Sequence, residues 1–179
     1  MYYNANPTDT GEWASTSDWT SDVWTALITV TDDDGLTDSA SSSQEVITTA
    51  GIDVTEDSVD YGNLDPGDNT GTSNQTTTIE TVGNCPIDAG VSAQTTLTSG
   101  SDTISTSSQK YGTSSVIYGS LTWNLSDTAT TTVLESGITT DYTSPDTDEI
   151  YWGLAIPGNT PAGSYSGVNN FAALEREYP

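Results

Sequence analysis

The amino-acid sequence predicts an all-β protein. Apolar and polar residues alternate within short segments, and these segments are separated by Gly, Pro, Asn and Asp. No stretch has a convincing helical period. Residues 51–171 alone offer about eight such segments at roughly 10–15-residue spacing, which is typical of an antiparallel β-sandwich or barrel.

Strand candidates also precede residue 51. Val23–Thr31 is apolar and rich in β-branched residues, and the Asp-Gly pair at 34–35 predicts a tight turn after it. One polar and one better strand candidate follow within 36–49. These strands are too few for a separate sandwich, which needs about seven. We therefore expect residues 1–50 to form a strand-rich arm.

The middle of the chain reads as short strands joined by polar loops. Residues 98–115 are polar and low in complexity, which predicts a long loop or a weak edge strand, and 172–178 have weak helical character. Strands are predicted at 52–54, 59–61, 75–82, 86–94, 116–125 and 128–134.

The stretch 149–171 has the strongest strand pattern. Ile150, Trp152, Leu154 and Ile156 alternate with other residues, and two Pro and two Gly within 157–163 predict a turn. A second strand would then end near residue 171. The pattern predicts a β-hairpin that closes a larger sheet, because a hairpin alone is marginally stable in water. Its last strand is expected to border an edge.

Charge excludes several classes of partner. The chain has 26 acidic residues, two basic residues and no His, for a formal net charge of -24. Nucleic acid is excluded as a partner because almost no basic side chain could displace phosphate counterions, and anionic membrane surfaces are disfavoured for the same reason. No stretch approaches the ~20 apolar residues of a membrane span, so no membrane insertion is expected. Cations, glycans and other proteins remain possible partners.

Hydroxyl residues are abundant. The chain has 33 Thr and 23 Ser, a composition that suits polar strand faces and also extracellular proteins with O-linked sugar. Asn74 and Asn124 begin N-glycosylation sequons, although such triplets also arise by chance in Thr-rich chains. No signal peptide is visible at the start, so the extracellular, cell-surface expectation rests on composition.

An acidic cluster follows the first strand. Asp32, Asp33, Asp34 and Asp38 could supply several of the six to eight oxygens that Ca²⁺ prefers. Their spacing does not match an EF-hand, and a solvated Asp-Gly turn explains the same residues. We expect no required cofactor, and Ca²⁺ is the one ion for which the sequence offers candidate ligands.

No enzymatic activity is expected. Cys85 is the single Cys, no His could activate it, and its apolar context favours a small buried residue. Carboxylates are numerous, but nothing in the sequence singles out a catalytic pair. Trp13, Trp19 and Trp24 could form a platform for sugar rings or act as apolar anchors, and Trp123 and Trp152 are expected in the core.

Several scaffold motifs resemble one family. VDYGNLDPG at 59–67, the strand end VGNCPI at 82–87 and PAGSYSG at 161–167 resemble the immunoglobulin-like domains of prokaryotic surface proteins. WTALITVTDDDGLTDSASSSQEV at 24–46 resembles the closing strands of PKD-like or cadherin-like repeats, without their first four or five strands. The resemblance spans roughly residues 22–172 and implies an immunoglobulin-like antiparallel β-sandwich, with little bearing on function.

The resulting expectation is an arm at 1–50, an immunoglobulin-like sandwich at 51–172 and a tail at 173–179. The apolar arm lacks local partners, so we expect it to complete a sheet in a neighbouring copy, as in strand donation, and to build a surface filament, pilus-like fibre or layer. The closing hairpin is one place where it would dock. Alternatives are an adhesin or carbohydrate-binding module and a Ca²⁺-stiffened spacer. The assembly residues would be Val23, Trp24, Leu27, Ile28 and Val30.

Overall fold

The computed structural model describes residues 23–45, 50–82, 87–128, 130–132 and 147–175. These residues confirm the all-β class: their only helical pieces are two 3-10 turns, Thr106–Ser108 and Tyr118–Ser120. The strands are β1 Val23–Thr31, β2 Thr37–Glu45, β3 Ile52–Val54, β4 Gln75–Thr81, β5 Ile87–Ala93, β6 Leu97–Ser99, β7 Asp102–Ile104, β8 Gln109–Gly112, β9 Trp123–Asn124, β10 Thr130–Thr132, β11 Thr147–Leu154 and β12 Asn169–Glu175.

Two sheets form the body of the described chain. The larger has the order β3-β4-β11-β8-β9, and the smaller has the order β10-β5-β12, with antiparallel pairing throughout. Period-two alternation places one side of each strand inward. On β5, for example, Ile87, Ala89, Val91 and Ala93 are all buried, as the alternation predicted.

The two sheets share one apolar core. Ile79, Ile150 and Trp152 from the larger sheet lie in the same cluster as Ala89 and Val91 from the smaller one. Trp152 is fully buried, and its ring meets Phe171 of β12 edge-on with the centroids 6.0 Å apart. Aromatic contacts therefore connect the sheets across the core. The immunoglobulin-like arrangement of the strands stays a prediction.

The expected closing hairpin is wrong. β11 belongs to the larger sheet and β12 to the smaller, so the loop at 155–168 crosses between sheets. Its polar groups bond elsewhere: the Ile156 N–H donates to the Asp68 carbonyl (2.8 Å), and the Ser166 N–H donates to the Thr98 carbonyl (3.1 Å). Pro and Gly marked a change of direction correctly, but they do not distinguish a hairpin turn from a crossing loop.

Three further expectations need correction. Residues 98–115 contain β7 and the larger sheet's β8, where Gln109 and Tyr111 are buried. No strand forms at 59–61. The segment read as weakly helical is extended through Glu175, so β12 enters the expected tail. In the first and third cases tertiary pairing overrides a weak local preference. In the second, Val59 and Tyr61 pack against the core cluster without pairing in a sheet. Residues 83–86 of the VGNCPI motif, and residues 129, 133 and 134 of the strand expected at 128–134, lie outside the described residues.

Candidate functional site

The β1–β2 hairpin is the most unusual surface of the described chain. β1 and β2 pair over their full length, from Val23 opposite Glu45 to Thr31 opposite Thr37. The turn between them is formed at the predicted Asp-Gly pair, where Gly35 has a φ of 82°, a conformation that favours Gly. Every side chain from Thr25 to Gln44 is exposed. No part of the described body therefore covers either face of this hairpin.

The two faces of the hairpin differ in chemistry. Because side chains alternate along a strand, Ala26, Ile28 and Val30 share one face, with Ala40 directly opposite Ile28. Leu27 lies on the other face, opposite Ser41. That second face is rich in hydroxyl groups: Thr25 and Ser43 bond through their hydroxyl oxygens at 2.8 Å, and Thr29 faces Ser39.

Large apolar side chains on this hairpin are open to solvent. The exposed fractions are 66% for Leu27, 66% for Ile28, 64% for Val30 and 71% for Leu36. An isolated two-stranded hairpin is marginally stable in water, and clustered exposed apolar groups often mark an interaction surface. Three of the five predicted assembly residues, Leu27, Ile28 and Val30, thus lie together on one exposed strand. Val23 and Trp24 are in the same strand by backbone, but their side chains are outside the description.

A sheet edge suited to receive a strand lies on the body. Within the described chain, β12 pairs with β5 alone and forms one edge of the smaller sheet. Its seven residues make it longer than the edge strands of the larger sheet, β3 with three and β9 with two. Phe171 and Ala173 pack inward against the core clusters. The sequence predicted a last strand at an edge, as found within the described chain, but placed it at 165–171, whereas β12 runs from Asn169 to Glu175. The alternation of Phe171 and Ala173 is the signal that could have extended it.

The acidic turn is held by its own backbone contacts. The Asp32 carboxylate accepts N–H bonds from Asp34 (3.1 Å) and Leu36 (2.8 Å), and Asp38 accepts one from Ser39 (2.9 Å). Asp33 and Asp34 are exposed beside it. In the described ranges no three acidic, Cys or His side chains come together in a way that could hold a metal ion. The Ca²⁺ hypothesis therefore gains no support from the geometry.

The two sequons occupy different environments. The Asn74 side chain is half-buried, where its amide donates to the Trp152 carbonyl (3.5 Å) and accepts from the Ser115 hydroxyl (3.1 Å). Asn124 is exposed on β9. A glycan is thus easier to accommodate at Asn124, and glycosylation at either site stays a prediction.

Other predicted residues divide between core and undescribed segments. Trp152 is buried and Trp123 packs half-buried against the same cluster. Trp13, Trp19 and Cys85 lie outside the described residues. Among the residues described, no helix has the length and apolar character needed to cross a membrane.

Comparisons with known proteins give no relative. The chain matches no protein-family model, and neither the curated proteins nor the solved structures contain a significant match. The resemblance to immunoglobulin-like surface domains therefore rests on the quoted motifs alone.

Proposed function

We propose that this protein is an extracellular structural subunit that associates with copies of itself, through the β1–β2 hairpin, into a cell-surface filament, fibre or layer. The observation that carries the proposal is the hairpin itself, whose apolar face is uncovered in the described chain. The acidic, hydroxyl-rich composition supports the cell-surface location.

Strand addition is the proposed mode of contact. β1 of one copy adds to the free side of β12 in the next copy, so that β10-β5-β12 continues into the neighbour's hairpin. The face with Ala26, Ile28 and Val30 then extends the layer formed by Phe171 and Ala173. A contact between two different surfaces of the subunit builds an open filament, unless the rotation between successive copies closes a ring.

Charge favours this pair of strands over the rest of the surface. The chain carries -24, and two copies repel each other at most approaches. β1, VWTALITVT, has no charged residue, and β12, NNFAALE, has a single acidic residue at its end. Edge strands commonly carry charge or Pro that prevents pairing between molecules, and both protections are nearly absent here. Added salt should strengthen association because it screens the remaining repulsion.

The apolar contribution is moderate. Full burial of an Ile or Val side chain is worth about 1.5–3 kcal/mol. Ile28 and Val30 are about two-thirds exposed, so together they offer roughly 2–4 kcal/mol on docking. The remainder must come from backbone hydrogen bonds along the added strand.

A matched pair of substitutions tests the proposal. Ile28→Ser and Leu27→Ser remove equally exposed apolar side chains, 66% each, from opposite faces of the same strand. We expect wild type to show a concentration-dependent mass by sedimentation velocity and fibres by negative-stain microscopy. Ile28→Ser should weaken association about tenfold or more, while Leu27→Ser should have a smaller effect. A wild-type chain that stays monomeric at high concentration would contradict the proposal.

The adhesin alternative makes a different prediction. A monomeric protein that binds glycans, and loses that binding in Trp13→Ala or Trp19→Ala, would favour a carbohydrate-binding module. A spacer stiffened by Ca²⁺ would instead show a melting temperature that rises with Ca²⁺ and falls with chelator.

A further inference from the structure

A cleft of about 980 Å³ opens on the body, away from the hairpin residues. Segment 56–66, part of the crossing loop at 155–168, Gln109 of β8 and Leu154 at the end of β11 all line it. Its volume lies at the upper end of the range for small-molecule sites. Neither the assembly residues nor the sequons line it.

The floor of the cleft is apolar and well ordered by packing. Leu97, Ile104 and Leu154 are 8%, 1% and 5% exposed, and Leu64 and Ile156 pack against them. Such a floor suits the hydrocarbon face of a ligand.

One buried amide interrupts this floor. Gln109 is 2% exposed, and its side-chain carbonyl accepts a hydrogen bond from the Tyr61 hydroxyl at 3.1 Å. Burial raises the pKa of Tyr61 well above its ordinary value, so the phenol stays protonated and remains a donor. The Gln109 Nε2 atom has no hydrogen-bond partner among the described residues.

An unpartnered buried amide needs an explanation. Leaving such a donor unsatisfied costs about 1–3 kcal/mol, and an apolar residue of similar size would avoid the cost. A ligand oxygen that accepts from Nε2 would remove the penalty when the ligand binds. Because Nε2 itself is covered, the side chains around it must shift slightly for the ligand to reach it.

The charge of the residues at the rim of the cleft excludes anionic ligands. Glu56, Asp57, Asp60 and Asp65 line it, and no Lys or Arg does. Asp57, Asp60 and Asp65 are exposed. Carboxylates repel anions and accept hydrogen bonds from hydroxyl groups. A ligand that satisfies both rim and floor has donor hydroxyls, at least one acceptor oxygen, an apolar face and no negative charge.

We propose that this cleft binds a short, uncharged carbohydrate, with a sugar oxygen accepting from Gln109 and sugar hydroxyls donating to the acidic rim. The site does not include the β1–β2 hairpin, although Asn169 and Phe171 of the acceptor strand β12 also line it. A fibre subunit with such a cleft would hold or crosslink neutral glycan as well as copies of itself.

Titration with maltotriose, cellotriose and chitotriose tests the proposal on the full chain labelled with ¹⁵N. We expect at least one of them to bind at millimolar concentration or tighter and to shift the side-chain amide signal of Gln109, which is assigned as the signal lost in Gln109→Leu. That variant should bind about tenfold more weakly, because one hydrogen bond is lost.

A blocking variant separates loss of the site from loss of the fold. Ala162→Trp places a large ring at an exposed residue of the cleft and should abolish binding, while Ser114→Trp, exposed and outside the cleft, should retain it. Failure of all three sugars, or unchanged binding in Ala162→Trp, would overturn the proposal. Binding of a tetralysine peptide in place of the sugars would overturn the ligand class.

Discussion

Trp152 connects the two sheets, and its replacement by Phe tests the hydrogen bond that its indole makes inside the core. The indole N–H donates to the Thr77 hydroxyl at 2.9 Å, and both residues are buried. Phe keeps the aromatic contacts with Tyr111 and Phe171 but removes the donor. The orphaned Thr77 hydroxyl costs about 1–3 kcal/mol. The smaller ring adds about 1 kcal/mol for the space it leaves. Trp152→Phe should therefore lower the free energy of unfolding by about 2–4 kcal/mol.

A double-mutant cycle isolates the hydrogen bond. Thr77→Val leaves the indole N–H unpaired and should cost about 1–3 kcal/mol, whereas the double variant removes both partners together. We expect the double variant to be close to Trp152→Phe in stability, so the coupling energy should equal the cost of Thr77→Val, about 1–3 kcal/mol. Urea unfolding followed by far-ultraviolet circular dichroism measures each value without relying on Trp fluorescence. Costs that add within about 0.5 kcal/mol would refute the buried hydrogen bond.

Three smaller predictions concern local contacts. Gly167→Ala places a Cβ 2.9 Å from the Thr96 carbonyl oxygen, so it should lower the free energy of unfolding in urea by about 1–3 kcal/mol. The control is Gly158→Ala, whose Cβ would have nothing within 4 Å and which should change stability by less than about 0.5 kcal/mol. Equal effects of the two substitutions would contradict the close packing at Gly167. A backbone N–H of β4 lowers the pKa of Glu56 below its ordinary value of 4.5. The stabilisation that the Glu56 carboxylate gives is therefore complete above pH 4.5 and is lost as the pH falls through the lower pKa of the folded state. Glu56→Gln should be less stable than wild type at pH 7 but not in strong acid, and a difference that persists in acid would count against this pairing. Asp32→Ala removes the acceptor of two N–H hydrogen bonds in the β1–β2 turn, so hydrogen exchange of backbone amides should become faster in the hairpin alone. Unchanged exchange rates in the hairpin would contradict this role of Asp32.

The local signals in the sequence predicted β1 and the turn after it. Val23–Thr31 has a strong apolar, β-branched pattern, and Asp-Gly gives a turn of defined geometry, so the bounds of β1 and the position of the turn are correct. β2 is a single strand, Thr37–Glu45, where the sequence suggested two candidates within 36–49. β8 shows the opposite case. Its sequence QKYG has no aliphatic residue, and it becomes a buried strand because its neighbours β11 and β9 pair with it.

Pairing between distant segments was the harder problem. The pattern at 149–171 correctly predicted the strand with buried Ile150 and Trp152, but sequence proximity suggested that it pairs with the strand after it. The choice of sheet depends on contacts with residues 68 and 98, which no local pattern reveals. The unpartnered amide of Gln109 is likewise invisible in sequence, because it arises only when Tyr61 and the apolar floor enclose it.

Photocrosslinking from β1 tests the proposed assembly most directly. A benzophenone amino acid at Thr29 lies on the outer face of the hairpin, opposite to that of Ile28, and should leave docking intact. Mixed ¹⁴N and ¹⁵N copies identify crosslinks between molecules, and a protease that cuts after Asp and Glu suits this acidic chain. We expect the crosslinks to fall within Asn169–Glu175 of another copy. Crosslinks to β3 or β9, or none between copies in assembled material, would contradict strand addition at β12.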